Sequence, residues 1–150
     1  MTGLPRRLYV HRRVVAWGDC DPARIVYTPK FLDYALEAAE ALFARLVGVD
    51  WYRLNLERGQ GQPLVHADLD FVSAARPGDR LLLAVRIAAL SRATLTYRVE
   101  ARLAKGGRCF DATLVSVLID TRRFKSISWP KDYRRRLAAY AALSQRKPRR

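Results

Sequence analysis

Two carboxylates, Asp19 and Asp21, flank Cys20 in the turn Gly18-Asp19-Cys20-Asp21-Pro22. A carboxylate held in a turn just ahead of a helix can attack an acyl carbonyl to give a mixed anhydride, or can activate a water. Asp21 is the candidate for that work. The plain alternative is that both aspartates cap turns through their own side chains, as Asx residues do. Such chemistry also needs donors for a developing oxyanion. The first backbone N–H groups of a helix have no intrahelical acceptor and carry partial positive charge. Thr28-Pro29 reads as an N-cap and first-turn pair, so the N–H of Thr28 or a neighbour is a donor that needs no special side chain. Pro29 has none to give.

The element that must carry this turn is a helix from Phe31 to Leu46. Phe31, Ala35, Ala38, Leu42 and Leu46 recur at helical spacing, and Leu32, Leu36, Ala39 and Phe43 widen the stripe. Its alanines let the helix lie close against a sheet, so strands should wrap around it. Asp33, Glu37 and Glu40 point away from the stripe's centre. Strands are expected at Leu8–Ala16, Pro63–Ser73, Arg80–Leu90, Ala93–Leu103 and Cys109–Ile119. The fourth has strict period two, with Leu95, Tyr97, Val99, Ala101 and Leu103 alternating against Thr94, Thr96, Arg98, Glu100 and Arg102. Pro77-Gly78-Asp79 and Lys105-Gly106-Gly107 are turn signals. Gly48–Gly61 reads as a connection. Pro130 opens a C-terminal helix over Asp132–Leu143. One strand, one long helix, then strands joined by short turns make an α+β arrangement with an antiparallel sheet.

GDCDPARIVY followed by a proline-started helix resembles the 4-hydroxybenzoyl-CoA thioesterase family of hotdog-fold proteins. The run ERGQGQPLVHADLDFVSAARPGDRL further on resembles it in order and spacing. The match covers roughly Tyr9 to Ile119. It implies a hotdog fold, hydrolysis of an acyl-CoA thioester that is plausibly aromatic, and a homodimer or homotetramer with the site at the subunit interface. It places the catalytic carboxylate at Asp21, a candidate substrate-orienting carboxylate at Glu37, and coenzyme A contacts at Arg92, with Arg24 as a second phosphate contact. Neither cofactor nor metal is implied. Tyr27, Trp51 and Tyr52 are aromatics that could line an acyl pocket or pack a core. The family commonly has glycine where Arg24 stands, an aromatic at Thr28 and asparagine at Lys30. The reaction type is therefore better specified than the acyl group.

Other classes fit less well. There is no GxSxG, no HExxH and no complete dinucleotide fingerprint around Gly59-Gln60-Gly61. Cys20 and Cys109 lack metal or disulfide spacing. No apolar run suits a signal peptide or a membrane span, so the expectation is one domain over residues 1–150 of a cytoplasmic protein. The net charge is +14, and Arg134–Arg150 holds seven basic residues without an acidic one. A solvated basic terminus is the plain reading, and a non-catalytic module that binds nucleic acid or an acidic protein is the competing one. The strands show no RNP-like aromatic pattern, which argues against nucleic acid as a partner. A hotdog dehydratase would want a histidine beside a carboxylate, and neither His11 nor His66 lies in a recognisable dehydratase motif.

Overall fold

The computed structural model describes residues 7–145. Five antiparallel strands, β1 (Tyr9–Val14), β3 (Leu64–Phe71), β4 (Arg80–Leu90), β5 (Thr94–Leu103) and β6 (Arg108–Val117), form the main sheet in the order β1-β4-β5-β6-β3. One long helix, α1 (Lys30–Val47), crosses the inner face. This is the hotdog arrangement that the resemblance implies.

The packing follows from the two periods read in the sequence. Leu81, Leu83, Val85 and Ile87 on β4, and Leu95, Tyr97, Val99 and Ala101 on β5, turn one face inward and are buried. They meet Phe31, Ala35, Ala38, Ala39, Leu42 and Leu46, all buried on α1. Three alanines on that stripe keep the helix axis near the sheet, and Gly48 at φ +84 ends the helix in a left-handed cap. Truncating Leu42 to Ala would leave a cavity at the centre, at a cost of about 2–5 kcal/mol.

Three details differ from the sequence reading. Thr28 makes no side-chain cap; Pro29 takes the N-cap position and the helix is hydrogen-bonded from Lys30. The chain has already turned by then, since the N–H of Lys30 donates to the Tyr27 carbonyl and that of Phe31 to the Thr28 carbonyl. The Gly48–Gly61 connection contains α2 (Trp51–Arg58), capped by Asp50, whose carboxylate accepts from the Arg53 N–H at 2.7 Å. A second, three-stranded sheet of β2 (Gln60–Gly61), β7 (Ile119–Asp120) and β8 (Lys125–Ser126) flanks the first.

The C-terminal helix α3 runs over Lys131–Ser144. Phe43 of α1 meets both Tyr133 and Trp129. The Tyr140 hydroxyl donates to the Val85 carbonyl at 2.6 Å, on the part of β4 where β1 stops. The basic stretch that begins at Arg134 is helix as far as Ser144, packed through Leu137 and Tyr140, while Arg134 and Arg135 stay exposed; Arg134 donates to the Ser91 carbonyl and the half-buried Arg136 to that of Leu46. The rest of it, residues 146–150, lies outside the described residues. No helix among the described residues is long and apolar enough to cross a membrane.

At the opposite edge β3 has, among the described residues, a neighbour on one side only, β6. Val65, Phe71 and Val72 on and just beyond it are exposed.

Candidate active site

The acidic turn is pinned between β1, the loop ahead of β4 and the start of α1. Val15 and Pro77-Gly78-Asp79 exchange backbone bonds, Val15 N–H to Asp79 and Gly78 N–H to Val15, each 2.9 Å. The Val26 N–H donates to the Ala75 carbonyl at 2.9 Å. Within the turn, Asp21 N–H donates to the Ile25 carbonyl and Arg24 N–H returns to the Asp21 carbonyl. Cys20 and Val26 form a β-bridge. Arg24 holds φ +66, the left-handed region that a side chain enters only at a cost. A glycine at this position, common in the resembling family, would adopt it freely.

The two aspartates have opposite surroundings. Asp19 points inward: its Oδ2 accepts from the buried Tyr34 hydroxyl at 2.8 Å and from Arg13 at 3.1 Å, and Lys30 lies 3.9 Å from Oδ1. The Tyr34 hydroxyl, together with Arg13, holds the Asp19 carboxyl below the usual carboxylate range. Burial and the same hydrogen bond push the Tyr34 phenol upward. Asp21 points outward. Its Oδ1 accepts from the Ala23 N–H at 2.8 Å, and among the described residues no cation lies in ion-pair range. It lines a cleft of about 540 Å³ with Trp17, Gly18, Cys20, Pro22, Arg24 and Pro77.

The Thr28 N–H, at the mouth of α1, meets no acceptor among the described residues, whereas the Tyr27 N–H is taken by the Asp19 carbonyl at 2.9 Å. A free main-chain donor and a free carboxylate therefore leave the same short segment. Tyr27 is exposed, and so is Trp17, at 85 %; Trp17 is a cleft-lining aromatic to which sequence reading gave no role. Its only signal was its place next to the glycine that opens the turn.

The other residues singled out in the sequence are not gathered there. Glu37 has both oxygens engaged by β1, Oε1 with His11 Nε2 at 3.1 Å and Oε2 with Arg13 at 2.6 Å. Tyr52 is exposed on α2, and Trp51 lines a separate cleft of about 470 Å³ with Gln62, Pro63, Ile119 and Phe124. Arg92 sits in the β4–β5 turn and donates to the Ser126 and Ser128 hydroxyls, each at 3.1 Å. Those partners are neutral, and among the described residues no carboxylate pairs with Arg92. β4 has 11 residues, about 35 Å of extended chain, and separates Arg92 from the end of the sheet that carries the acidic turn. Among the described residues no His, Cys, Asp or Glu group has a metal-holding arrangement.

Comparison with known proteins decides the family. The model of the thioesterase-like superfamily matches residues 15–137. The chain belongs to that superfamily. It is a thioester hydrolase built on the hotdog scaffold. It is 28 % identical over 137 residues to 4-hydroxybenzoyl-CoA thioesterase of Pseudomonas sp. strain CBS-3, covering 87 % of this chain and 96 % of that protein. It is 36 % identical over 96 residues to 1,4-dihydroxy-2-naphthoyl-CoA hydrolase of Synechococcus elongatus, covering 63 % and 68 %. A thioesterase superfamily structure from Jannaschia sp. CCS1 superposes with a TM-score of 0.83 at 32 % identity, covering 93 % of this chain and 97 % of that one.

Proposed function

We propose that this thioesterase hydrolyses an aromatic acyl-CoA to the free acid and coenzyme A, with Asp21 as nucleophile or general base and the Thr28 N–H as oxyanion donor. The observation that carries the reading is the pairing of a turn-held, cation-free carboxylate with an unengaged N–H at the mouth of α1. Both belong to one short segment; among the described residues the carboxylate accepts the Ala23 N–H alone and the Thr28 N–H has no acceptor. Attack on the thioester carbonyl by Asp21, or by a water it deprotonates, moves charge to the carbonyl oxygen, where a fixed N–H dipole stabilises the transition state. Collapse expels the thiolate of coenzyme A; on the nucleophilic route water then cleaves the mixed anhydride on Asp21 to release the acid, and on the general-base route the acid forms directly. Neither cofactor nor metal enters. The exposed Trp17 and Tyr27 offer flat surface to an aromatic acyl group.

The chain acts as a homodimer, or a dimer of such dimers, joined through the open edge of β3. An unpaired strand edge with exposed Val65, Phe71 and Val72 is a pairing surface that a second copy covers. Antiparallel pairing about a two-fold axis sets the Phe71 end of one β3 against the Leu64 end of the other. Leu64 is level with Ser116 and, through it, with Leu95, three residues beyond Arg92. Arg92 then serves the coenzyme A phosphates of the site whose Asp21 lies in the other copy, and the Trp51 cleft approaches the same site. Arg24, on the Asp21 cleft itself, supplies a second positive charge.

The names of the relatives support an aryl-CoA substrate, since two of them act on 4-hydroxybenzoyl-CoA and 1,4-dihydroxy-2-naphthoyl-CoA. A dehydratase reading gains a histidine beside a carboxylate, His11 with Glu37, but Tyr9 and Arg13 occupy the outer side of that pair. The test is thiol release from a panel of aromatic and aliphatic acyl-CoA esters. Turnover of aryl esters is expected to exceed that of short aliphatic ones by at least about tenfold, the scale on which a fitted pocket separates substrates. Hydrolysis of none of them would overturn the reading.

A further inference from the structure

Between β1 and α1 runs an unbroken line of polar contacts ending at the acidic turn. The Tyr9 hydroxyl bonds His11 Nδ1 at 3.2 Å; His11 Nε2 bonds Glu37 Oε1 at 3.1 Å; Arg13 takes Glu37 Oε2 at 2.6 Å and Asp19 Oδ2 at 3.1 Å. The line closes on Tyr34, whose hydroxyl donates to the same Asp19 oxygen and whose ring lies 4.9 Å beneath the Arg13 guanidinium. Tyr9, His11 and Arg13 share one face of β1, and Tyr34 and Glu37 are one helical turn apart. The inward face of this edge strand is thus polar where the inward faces of β4 and β5 are apolar.

Arg13 is the joint in this line. It is the residue in contact with Glu37, Asp19 and the Tyr34 ring together. Asp19, in turn, holds the site from both its ends. Its carboxylate is tied to β1 and α1, while its carbonyl accepts the N–H of Tyr27, the residue before Thr28. Wherever Asp19 sits, Asp21 two residues later and Thr28 across the turn must follow.

We propose that Arg13 is a positioning residue for the thioesterase reaction: by clamping Asp19 against Glu37 it sets the separation between the Asp21 carboxylate and the Thr28 N–H. This rests on the roles given above to Asp21 and Thr28. Glu37 acts through Arg13, as an anchor for the guanidinium, and not on the substrate. The geometry favours a fork over a point charge, because two carboxylates approach different nitrogens of one guanidinium, Nη1 and Nη2. An ammonium at this position reaches one carboxylate and releases the other. A shift of about 1 Å in a reacting group can cost about a hundredfold in rate.

The test uses Arg13→Lys, Arg13→Met, Glu37→Gln and the Arg13→Met/Glu37→Gln double variant of the full chain. Steady-state kinetics on the best aryl-CoA ester are paired with hydrogen exchange at the Tyr27 amide. Arg13→Lys should fold, lose about tenfold in kcat and keep KM within about threefold; Arg13→Met should lose about a hundredfold. The double variant should be no slower than Arg13→Met, because Glu37 has no effect once its joint is gone. Tyr27 exchange should quicken at least about tenfold in Arg13→Lys, a result that does not depend on which substrate the protein turns over. An unchanged Tyr27 exchange rate in a folded Arg13→Lys protein overturns the proposal, as does a rise in KM at constant kcat or multiplicative loss in the double variant. If Arg13→Met does not fold, Arg13→Lys and Glu37→Gln still decide it. Wild-type protein inactive on every ester, with Tyr27 exchange responding as expected, would sink the functional reading and leave the clamp standing.

Discussion

Asp19 and Asp21 are two residues apart in one turn, yet one is bound into the seam between β1 and α1 and the other stands over an open cleft. Tyr34, Arg13 and Lys30 converge on Asp19, while among the described residues Asp21 has only the Ala23 N–H. An anchored carboxylate has committed its lone pairs to the fold. A carboxylate bonded to a single main-chain N–H keeps the rest for a substrate or a water. Structural anchoring and the proposed reactivity are thus divided between neighbours of the same residue type, and the division is made by which element each side chain faces.

The comparison predicts a separation of effects. Asp19→Ala should damage folding more than any change at Asp21, Arg24 or Arg92: it removes one of the two carboxylates that hold the Arg13 guanidinium and the acceptor of the buried Tyr34 hydroxyl. A loss of roughly 2–3 kcal/mol is expected by urea unfolding. A variant as stable as the parent would show that the seam does not anchor the turn. Acid should act on the same group. Asp19 has a depressed pKa when folded, so its contribution is present above the unfolded carboxyl value of about 4 and is lost as pH falls through the folded value. Unfolding free energy measured from about pH 5 down to about pH 2 should therefore drop less steeply in an Asp19→Asn variant than in the parent. Parallel profiles would remove Asp19 from the account.

Smaller effects belong to the open side. Arg92→Ala should raise KM for a full coenzyme A thioester several-fold with little change in kcat, and should leave a truncated pantetheine thioester alone. The rise should shrink at high salt. Equal effects on both esters would detach Arg92 from the nucleotide. Arg24→Gly should relieve the left-handed strain at φ +66 and stabilise the turn by about 0.5–1 kcal/mol, whereas Arg24→Ala should not. Equal melting temperatures for the two variants would contradict this.

Much of the scaffold was legible because its periods are clean. β5 lies where its alternating run puts it, β4 spans the expected Arg80–Leu90, and the centre of the α1 stripe is buried as read, with Leu32 and Leu36 half-buried at its margin. α2 was missed because it is eight residues long and buries Leu54 alone, which leaves no stripe to see; Asp50 and Gly59 were its available caps. The small second sheet escaped because two-residue strands have no period at all. Asp21 was singled out through its motif, and its place on an open cleft is what the structure adds. The clamp on Asp19 was not, since Arg13 and Glu37 are 24 residues apart and meet only once β1 has found its register on β4. Thr28 shows the converse: the hydroxyl expected to cap does not, while its backbone N–H has no acceptor among the described residues.

The most direct measurement of the central claim is the kcat of Asp21→Asn on an aryl-CoA ester, with retention of the amide confirmed by mass spectrometry and folding checked by thermal unfolding. The account predicts a loss of roughly a thousandfold or more with the melting temperature nearly unchanged, since Asp21 gives little to the fold and the chemistry to the reaction. An Asp21→Asn protein that keeps more than about a tenth of the parent kcat would contradict it.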